Sequence, residues 1–311
     1  MDSQRTTLLT LPDLHAITPF VGSFNPHYAK VALESSAWVD DSRALSDKKR
    51  AFFFQTGHEL LCAHAYPYAD EERYRVTCDF INLLFVFDET SDDQTGEGVS
   101  RTGSVFYNAL TKPEYDDGTP LCKSTKEFRQ RLLKHCRPLT YQRRFAASIA
   151  ASPPAFALIG YALGIDLPDD ILEYPAMMAM YSASADMVCW SNDLYSYNIE
   201  QAMGHTGNNI ITVLMTHKGL GLQEAANYIG EHWKTLIKTY LDAKKSLPNW
   251  GVKIDHEVVQ YTMALESWVI GNLNWSFESL RYFGSTRHEV RRTLVVRLHL
   301  RQIEEGDETD V

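Results

Sequence analysis

Four acidic side chains follow the apolar run of residues 80–87 within six positions: Asp88, Glu89, Asp92 and Asp93. In a helix, Asp88 and Asp92 stand one turn apart on one face, and the other two acids form a second such pair beside them. The sequence Thr-Gly-Glu-Gly at residues 95–98 predicts the end of this helix. The four acids are therefore expected at its C-terminal end.

The C-terminal end of a helix is unfavourable for negative charge, because the helix dipole already places about half a negative charge there. Like charges one turn apart add about a few tenths of a kcal/mol of repulsion. A cluster kept against both effects predicts a cationic partner, and hard divalent metal ions bound through carboxylate oxygens fit best. The alternative for this cluster taken alone is a solvated acidic helix end, which is common where a loop begins.

Three further oxygen donors recur at every fourth position: Asn192, Ser196 and Glu200. Successive members drift by only about 40° around an α-helix, so the three side chains share one stripe. An amide, a hydroxyl and a carboxylate make a poor buried stripe, since each needs a partner when it leaves water. They make a good ligand set for Mg²⁺, which takes a few protein oxygens together with water and substrate phosphate.

Helical periodicity dominates the chain that must position these donors, and few segments have the alternation of a strand. Residues 1–27 are expected to be an irregular lead-in, residues 93–104 a glycine-rich loop and residues 302–311 a flexible tail. No repeat or linker divides residues 1–311, so a single all-α domain is predicted. Helices are predicted over residues 28–38, 40–56, 58–68, 71–92, 126–134, 141–163, 176–203, 208–217, 222–245 and 255–282.

The last predicted helix carries one side-chain stripe at spacings of four and three: Tyr261, Leu265, Trp268, Asn272, Trp275, Ser279 and Tyr282. Such a stripe is most often ordinary core. The alternative is the wall of a cavity, because this stripe includes two tryptophans, an asparagine and a tyrosine.

The composition is that of a globular protein, with 44% hydrophobic and 23% charged residues. The formal net charge of −10 argues against a nucleic-acid-binding protein, and an anionic substrate would need local metal ions or arginines. Five scattered cysteines without a C-x-x-C pair argue against a disulfide framework or a structural zinc site. No apolar run reaches the roughly 18–20 residues of a membrane span, so a soluble cytoplasmic protein is expected, its oligomeric state left open.

The pattern D-E-x-x-D at residues 88–92, followed by N-D-x-x-S-x-x-x-E at residues 192–200, resembles class I terpene synthases, particularly sesquiterpene synthases of basidiomycete fungi. Residues 272–284, with Arg281 and Tyr282, resemble the Arg-Tyr segment of that family. The resemblance covers the chain from about residue 20 to about residue 300. It implies an all-α bundle around a central apolar cavity, with three Mg²⁺ ions held between two helices at the cavity mouth.

The same resemblance implies that Arg281 and Tyr282 bond the diphosphate of an isoprenoid substrate, with farnesyl diphosphate expected. With Asp88 they would be the catalytic residues of a carbon–oxygen lyase. The implied metal ligands are Asp88, assisted by Glu89 and Asp92, and on the second helix Asn192, Ser196 and Glu200.

Loss of diphosphate from an allylic carbon leaves an allylic cation, which needs a dry pocket with aromatic faces. Counting back along the helix from Asp88 makes Phe85 the best pocket aromatic of that helix. Weaker candidates, each of which could be plain core, are residues 52–54, Trp268 and Trp275.

The sequence departs from the family pattern at Ala146, where relatives carry an arginine that contacts the diphosphate. Arg143 and Arg144 lie three and two residues earlier, within about one helical turn, and one of them is expected to replace that contact in part. The replacement is expected to be imperfect, because bidentate phosphate contacts are geometrically demanding. The alternative is that both arginines are solvated surface residues.

Other functions compatible with these motifs are a synthase that uses geranyl diphosphate or gives an acyclic alcohol, and an isoprenoid-diphosphate-binding pseudoenzyme. Prenyl chain elongation is disfavoured, because that chemistry normally shows two D-D-x-x-D motifs. Mg²⁺-dependent release of diphosphate distinguishes an enzyme from a binding protein, and the preferred chain length distinguishes the two synthases.

Overall fold

A computed structural model describes residues 7–91, 96–136, 154–204 and 207–300. Within these ranges the chain is almost entirely helical, as predicted, with two three-residue strands and two short 3₁₀ turns, residues 154–158 and 284–286. None of the described helices is both long and apolar enough to cross a membrane. In chain order the strands and α-helices are β1 (Leu8–Thr10), α1 (Leu14–Ile17), α2 (Tyr28–Ser42), α3 (Asp47–Thr56), α4 (His58–Ala65), α5 (Glu71–Ser91), α6 (Gly96–Thr111), α7 (Pro120–Leu133), α8 (Ile159–Leu163), α9 (Asp169–Leu172), α10 (Pro175–Met203), α11 (Ile210–Lys218), α12 (Leu222–Lys245), α13 (Val252–Glu278), α14 (Arg287–Thr293) and β2 (Val295–Arg297).

The amino-terminal segment is more regular than the sequence predicts. Strand β1 pairs antiparallel with β2, and Leu9 lies opposite Val296 with both side chains buried. The prediction of an irregular lead-in was therefore wrong for β1 and α1. A three-residue strand gives almost no local signal, and its partner lies at the other end of the chain. Residues 1–6 and the predicted tail, residues 302–311, lie outside the described residues.

The predicted loop at residues 93–104 was also wrong, because α6 begins at Gly96. Two glycines in its first turn lower the intrinsic helix propensity. Farther along, Val105, Phe106 and Leu110 are buried, and α6 packs against α5 and α7. Burial of this apolar face stabilises the helix more than the glycines weaken it, since most helical stability in proteins comes from tertiary packing.

Helices α5, α10 and α13 position the candidate site. Helix α10 packs against α12 and α13, and α13 packs closely against α4. The α4–α13 approach depends on Gly271, since a Cβ there would lie 2.9 Å from the carbonyl carbon and Cβ of His64. The two helices are joined again by a hydrogen bond of 2.9 Å between His64 Nε2 and Glu278 Oε2.

Gly271→Ala is therefore expected to destabilise the protein, although alanine is the better helix former. The added methyl group meets backbone atoms of α4, and overpacking of this kind costs about 1–3 kcal/mol. Gly96→Ala is the matched control, because no atom of the described residues lies within 4 Å of a Cβ at that helical position. Denaturant unfolding should show a lower free energy of unfolding for the first variant only. Equal stability of the two variants would contradict this account of the α4–α13 contact.

Candidate active site

Arg281 and Tyr282 lie in the turn after α13, which ends at Glu278 because Ser279 adopts an extended backbone with φ −80° and ψ 169°. The prediction that this helix runs to residue 282 was therefore wrong. The Arg281 guanidinium lies 3.7 Å from a carboxylate oxygen of Asp88 on α5. The Tyr282 hydroxyl accepts a hydrogen bond of 2.7 Å from Asn192 Nδ2 on α10. Two adjacent residues thus contact both segments that the sequence predicts to bind metal.

Tyr282 is buried, with 2% of its surface exposed. Burial raises the pKa of its phenol, the charge of Arg281 opposes that shift, and the charges of Glu200 and Asp88 add to it. The phenol is therefore neutral and able to donate a hydrogen bond. The influence of both acids on one phenol shows that Glu200 and Asp88 both lie near Tyr282.

The three donors on α10 suit a hard cation. Asn192 donates to Tyr282 through Nδ2, which leaves the other end of its amide, Oδ1, as an oxygen donor for a cation. The Ser196 hydroxyl donates a long bond of 3.4 Å to the Asp193 carbonyl, and its oxygen keeps lone pairs for a metal. Glu200 accepts through one carboxylate oxygen, Oε2, from Asn209 Nδ2 at 3.0 Å. The residues present therefore fit a divalent ion such as Mg²⁺.

Asn209, which the sequence interpretation left without a role, supports Glu200 and also bonds Asp193. Asn209 is buried, and its Nδ2 donates to the Asp193 carbonyl (2.7 Å) as well as to Glu200. The Asp193 carboxylate accepts from the Ile210 backbone N–H at 2.8 Å at the start of α11. Burial, with a smaller contribution from Glu200, raises the pKa of Asp193 to about 6. Asn209 before an apolar run was visible in the sequence as a helix N-cap, but its contact with Glu200 was not.

Two of the four acids, Asp88 and Glu89, lie on α5 within the described residues. Asp88 is half exposed and faces Arg281, whereas the backbone carbonyl of Glu89 accepts a hydrogen bond from Lys49 Nζ on α3. Cationic groups from distant segments therefore reach this helix end. Asp92 and Asp93 lie outside the described residues, as do Arg143, Arg144 and Ala146, so these predictions stay predictions. Within the described ranges, no three His, Cys, Asp or Glu side chains come together as a metal site.

Phe85 is half-buried and lies between the Arg281–Tyr282 turn and a buried histidine. The Arg281 guanidinium is 4.6 Å from the centroid of the Phe85 ring. The His58 ring stacks on Phe85 with centroids 3.8 Å apart and planes only 12° from parallel. Burial, and after it the charge of Arg281, lowers the pKa of His58 well below its ordinary value, so this imidazole is neutral.

Trp268 and Trp275 are both buried on α13. Trp275 lies 6.1 Å from Phe85, centroid to centroid, and its Nε1 donates to the backbone carbonyls of Thr56 and Gly57. Trp268 packs edge-on against the Tyr66 ring, at 5.2 Å between centroids. Trp275 is thus adjacent to the site, while both side chains make the contacts of a well-packed core.

The bundle has the architecture of solved terpene synthases. Hedycaryol synthase in complex with HEPES matches with a TM-score of 0.75 over 86% of this chain and 98% of that chain, at 20% identity. A likeness at this identity shows the fold alone. The family model described as terpene synthase family 2, C-terminal metal binding, matches residues 148–239, which include the Asn192, Ser196 and Glu200 set.

Three fungal relatives match nearly the whole chain. Bifunctional terpene synthase Agr4 of Cyclocybe aegerita is 40% identical over 96% of this chain and 96% of its own. Sesquiterpene synthase 1 of Postia placenta is 33% identical over 94% of this chain and 95% of its own. A protein of Coprinopsis cinerea is 44% identical over 93% of this chain and 92% of its own, and it is named linoleate 10R-lipoxygenase COP4. This chain belongs to the class I terpene synthases of fungal type, which are lyases acting on diphosphate substrates.

Proposed function

We propose that the protein is a Mg²⁺-dependent sesquiterpene synthase that ionises farnesyl diphosphate and releases diphosphate. The observation that carries this proposal is the Arg281–Tyr282 turn, whose side chains contact Asp88 on one side and Asn192 on the other. An isoprenoid with one diphosphate group needs such a convergence of cations and hydrogen-bond donors at one end of an apolar cavity. The name of the Postia relative favours a fifteen-carbon substrate.

The residues divide the work by charge. In the proposal, two groups of side chains would hold three Mg²⁺ ions. One group is Asp88 with Glu89 and Asp92, and the other is the α10 set of Asn192, Ser196 and Glu200. When bound, these ions neutralise the charge that develops on the leaving diphosphate. Arg281 leaves its contact with Asp88 and donates hydrogen bonds to the same diphosphate. The neutral phenol of Tyr282 donates a further hydrogen bond to it. Arg143 or Arg144 adds part of the contact that Ala146 cannot make.

The substrate's carbon chain requires a pocket that excludes water from a cation. We assign Phe85 to the part of that pocket nearest the diphosphate, because its ring lies under Arg281 rather than deep in the bundle. Trp275 is the next aromatic ring along the same wall, and Trp268 lies farther along α13. An aromatic face offers negative potential without a nucleophilic atom, so it stabilises a cation without capturing it.

Phe85→Ala is expected to change the product mixture and also to slow release of diphosphate by roughly 3–10-fold. The second effect follows from the contact with Arg281, since a cation–π contact contributes about 0.5–2 kcal/mol. Products are measured by gas chromatography of the volatiles, and diphosphate release by a coupled assay. Phe24→Ala, which removes an exposed aromatic ring, is the control. An unchanged product profile would place Phe85 in the structural core alone.

The proposal is tested with purified full-length protein, Mg²⁺ and farnesyl diphosphate, followed by measurement of diphosphate and of volatile products. Diphosphate release that disappears with EDTA and returns with Mg²⁺ is expected. A parallel reaction with geranyl diphosphate determines chain-length preference. A third reaction with linoleate, monitored by oxygen uptake, addresses the name of the Coprinopsis relative. Oxygen uptake without any diphosphate release would overturn the proposal.

A further inference from the structure

His58 is a buried polar group near the Arg281–Tyr282 turn for which the proposed reaction has no use. It begins α4, directly after Gly57, whose left-handed backbone (φ +61°) separates α3 from α4. The side chain is 2% exposed and contacts aromatic rings on two sides, Phe85 at 3.8 Å and Phe53 at 4.4 Å between centroids.

The Thr56 hydroxyl holds one edge of the His58 ring. The hydroxyl oxygen lies 2.6 Å from the Phe53 carbonyl oxygen, to which it can donate. Thr56 Oγ1 also lies 2.6 Å from His58 Nε2, so the same hydroxyl bonds the imidazole, donating or accepting according to its tautomer. Thr56 thus fixes the ring in its plane.

The other ring nitrogen, Nδ1, is buried and has no hydrogen-bond donor among the described residues. Asn82 lies beside it: Asn82 Nδ2 donates to Ser35 Oγ and Glu59 Oε1, and its Oδ1 remains to accept from the imidazole. The ring is also held by the Thr56 bond and by its contacts with Phe85 and Phe53.

The stack connects His58 to the cation that binds diphosphate. The imidazole lies almost parallel to the Phe85 ring, and the Arg281 guanidinium lies 4.6 Å from the centroid of that same ring. A neutral imidazole suits this place, since an imidazolium would repel Arg281. Removal of the imidazole would leave a cavity into which Phe85 can turn, and Arg281 would lose its support.

We propose that His58 is a positioning residue for diphosphate recognition: Thr56 fixes its neutral ring, the ring holds Phe85, and Phe85 sets the position of the Arg281 guanidinium. This inference rests on the proposed function, because it assigns diphosphate binding to Arg281. It goes beyond that function in extending the recognition apparatus to a residue that cannot touch the substrate.

A double-mutant cycle tests this coupling with inorganic diphosphate plus Mg²⁺ as a competitive inhibitor of the full-length enzyme. His58→Ala is expected to raise the inhibition constant about tenfold in the wild-type background and less than about twofold in the Arg281→Gln background. Thr56→Val, which keeps the imidazole but removes its hydrogen-bond partner, is expected to raise it about threefold. Equal rises in the two backgrounds, or no rise, would overturn the inference.

His232→Ala is the matched control, because His232 also stacks on an aromatic ring, Trp190 at 4.1 Å, but lies on α12 with Asp186 and Lys218, not Arg281, as its charged neighbours. Its inhibition constant should match that of the wild type; a rise equal to that of His58→Ala would overturn the inference. If circular dichroism shows that His58→Ala does not fold, Thr56→Val takes its place in the cycle: a rise of about threefold is expected in the wild-type background only, and an equal rise in both backgrounds would overturn the inference. A wild-type protein that neither releases nor binds diphosphate would remove the proposed function and this inference together, whereas an active enzyme with an additive cycle removes only the inference.

Discussion

Asp88→Asn is expected to reduce diphosphate release by about a hundredfold or more, while the free energy of unfolding stays unchanged or rises. The substitution removes the charge of a proposed metal ligand but keeps the shape of the side chain. It also removes one negative charge from the C-terminal turn of α5, where the helix dipole disfavours it. The ion pair lost with Arg281 is long, at 3.7 Å, and Asp88 is half exposed, so the pair contributes little to stability.

Glu89→Gln provides the comparison for Asp88→Asn, because it removes the same charge from the adjacent position of the same helix. Glu89 points about 100° around the helix from Asp88, so its loss is expected to be milder. Turnover at saturating Mg²⁺ and urea unfolding measure the two effects separately. Wild-type turnover of Asp88→Asn would remove this residue from the proposed ligands, and equal losses in both variants would contradict the division of roles.

Glu200→Gln is expected to lower turnover by roughly 30–100-fold and to raise the Mg²⁺ concentration needed for half-maximal activity. Glu200 is the charged member of the α10 set, and a neutral amide oxygen is a weaker ligand for a hard cation. The fold should persist, since Asn209 Nδ2 can still donate to the amide oxygen of glutamine.

The measurement for Glu200 is a Mg²⁺ titration of diphosphate release. Glu231→Gln is the matched control, because Glu231 is an exposed acid on α12 paired with Lys234. It should titrate like the wild type. If Glu200→Gln shows an unchanged Mg²⁺ requirement, the metal assignment on α10 fails even when the rate is lower.

Much of the helical framework can be read from the sequence. The bounds of α5, α10, α11 and α12 agree with prediction to within two residues, because each helix carries a long apolar periodicity and clear end signals. The common stripe of Asn192, Ser196 and Glu200 was also determined locally, since four-residue spacing on one helix fixes the relative direction of side chains.

The errors of prediction have a common physical cause. Helix α6 forms against its local propensity because its apolar face is buried, and β1 forms only because β2 arrives from the far end of the chain. In both cases the decisive free energy comes from contacts between segments distant in sequence, and no local pattern records such contacts.

The sequence by itself predicted which side chains bind metal and determined which of the described helices carry Asp88 and the Asn192, Ser196 and Glu200 set. Only the tertiary structure decided that Arg281 faces Asp88 while its neighbour Tyr282 faces Asn192, because the backbone leaves the helix at Ser279 and turns between α5 and α10. It also decided that His58 supports Phe85 beneath Arg281. These contacts depend on the packing of α4, α5 and α13 to within about an ångström, and side-chain spacing along one chain does not specify distances between helices.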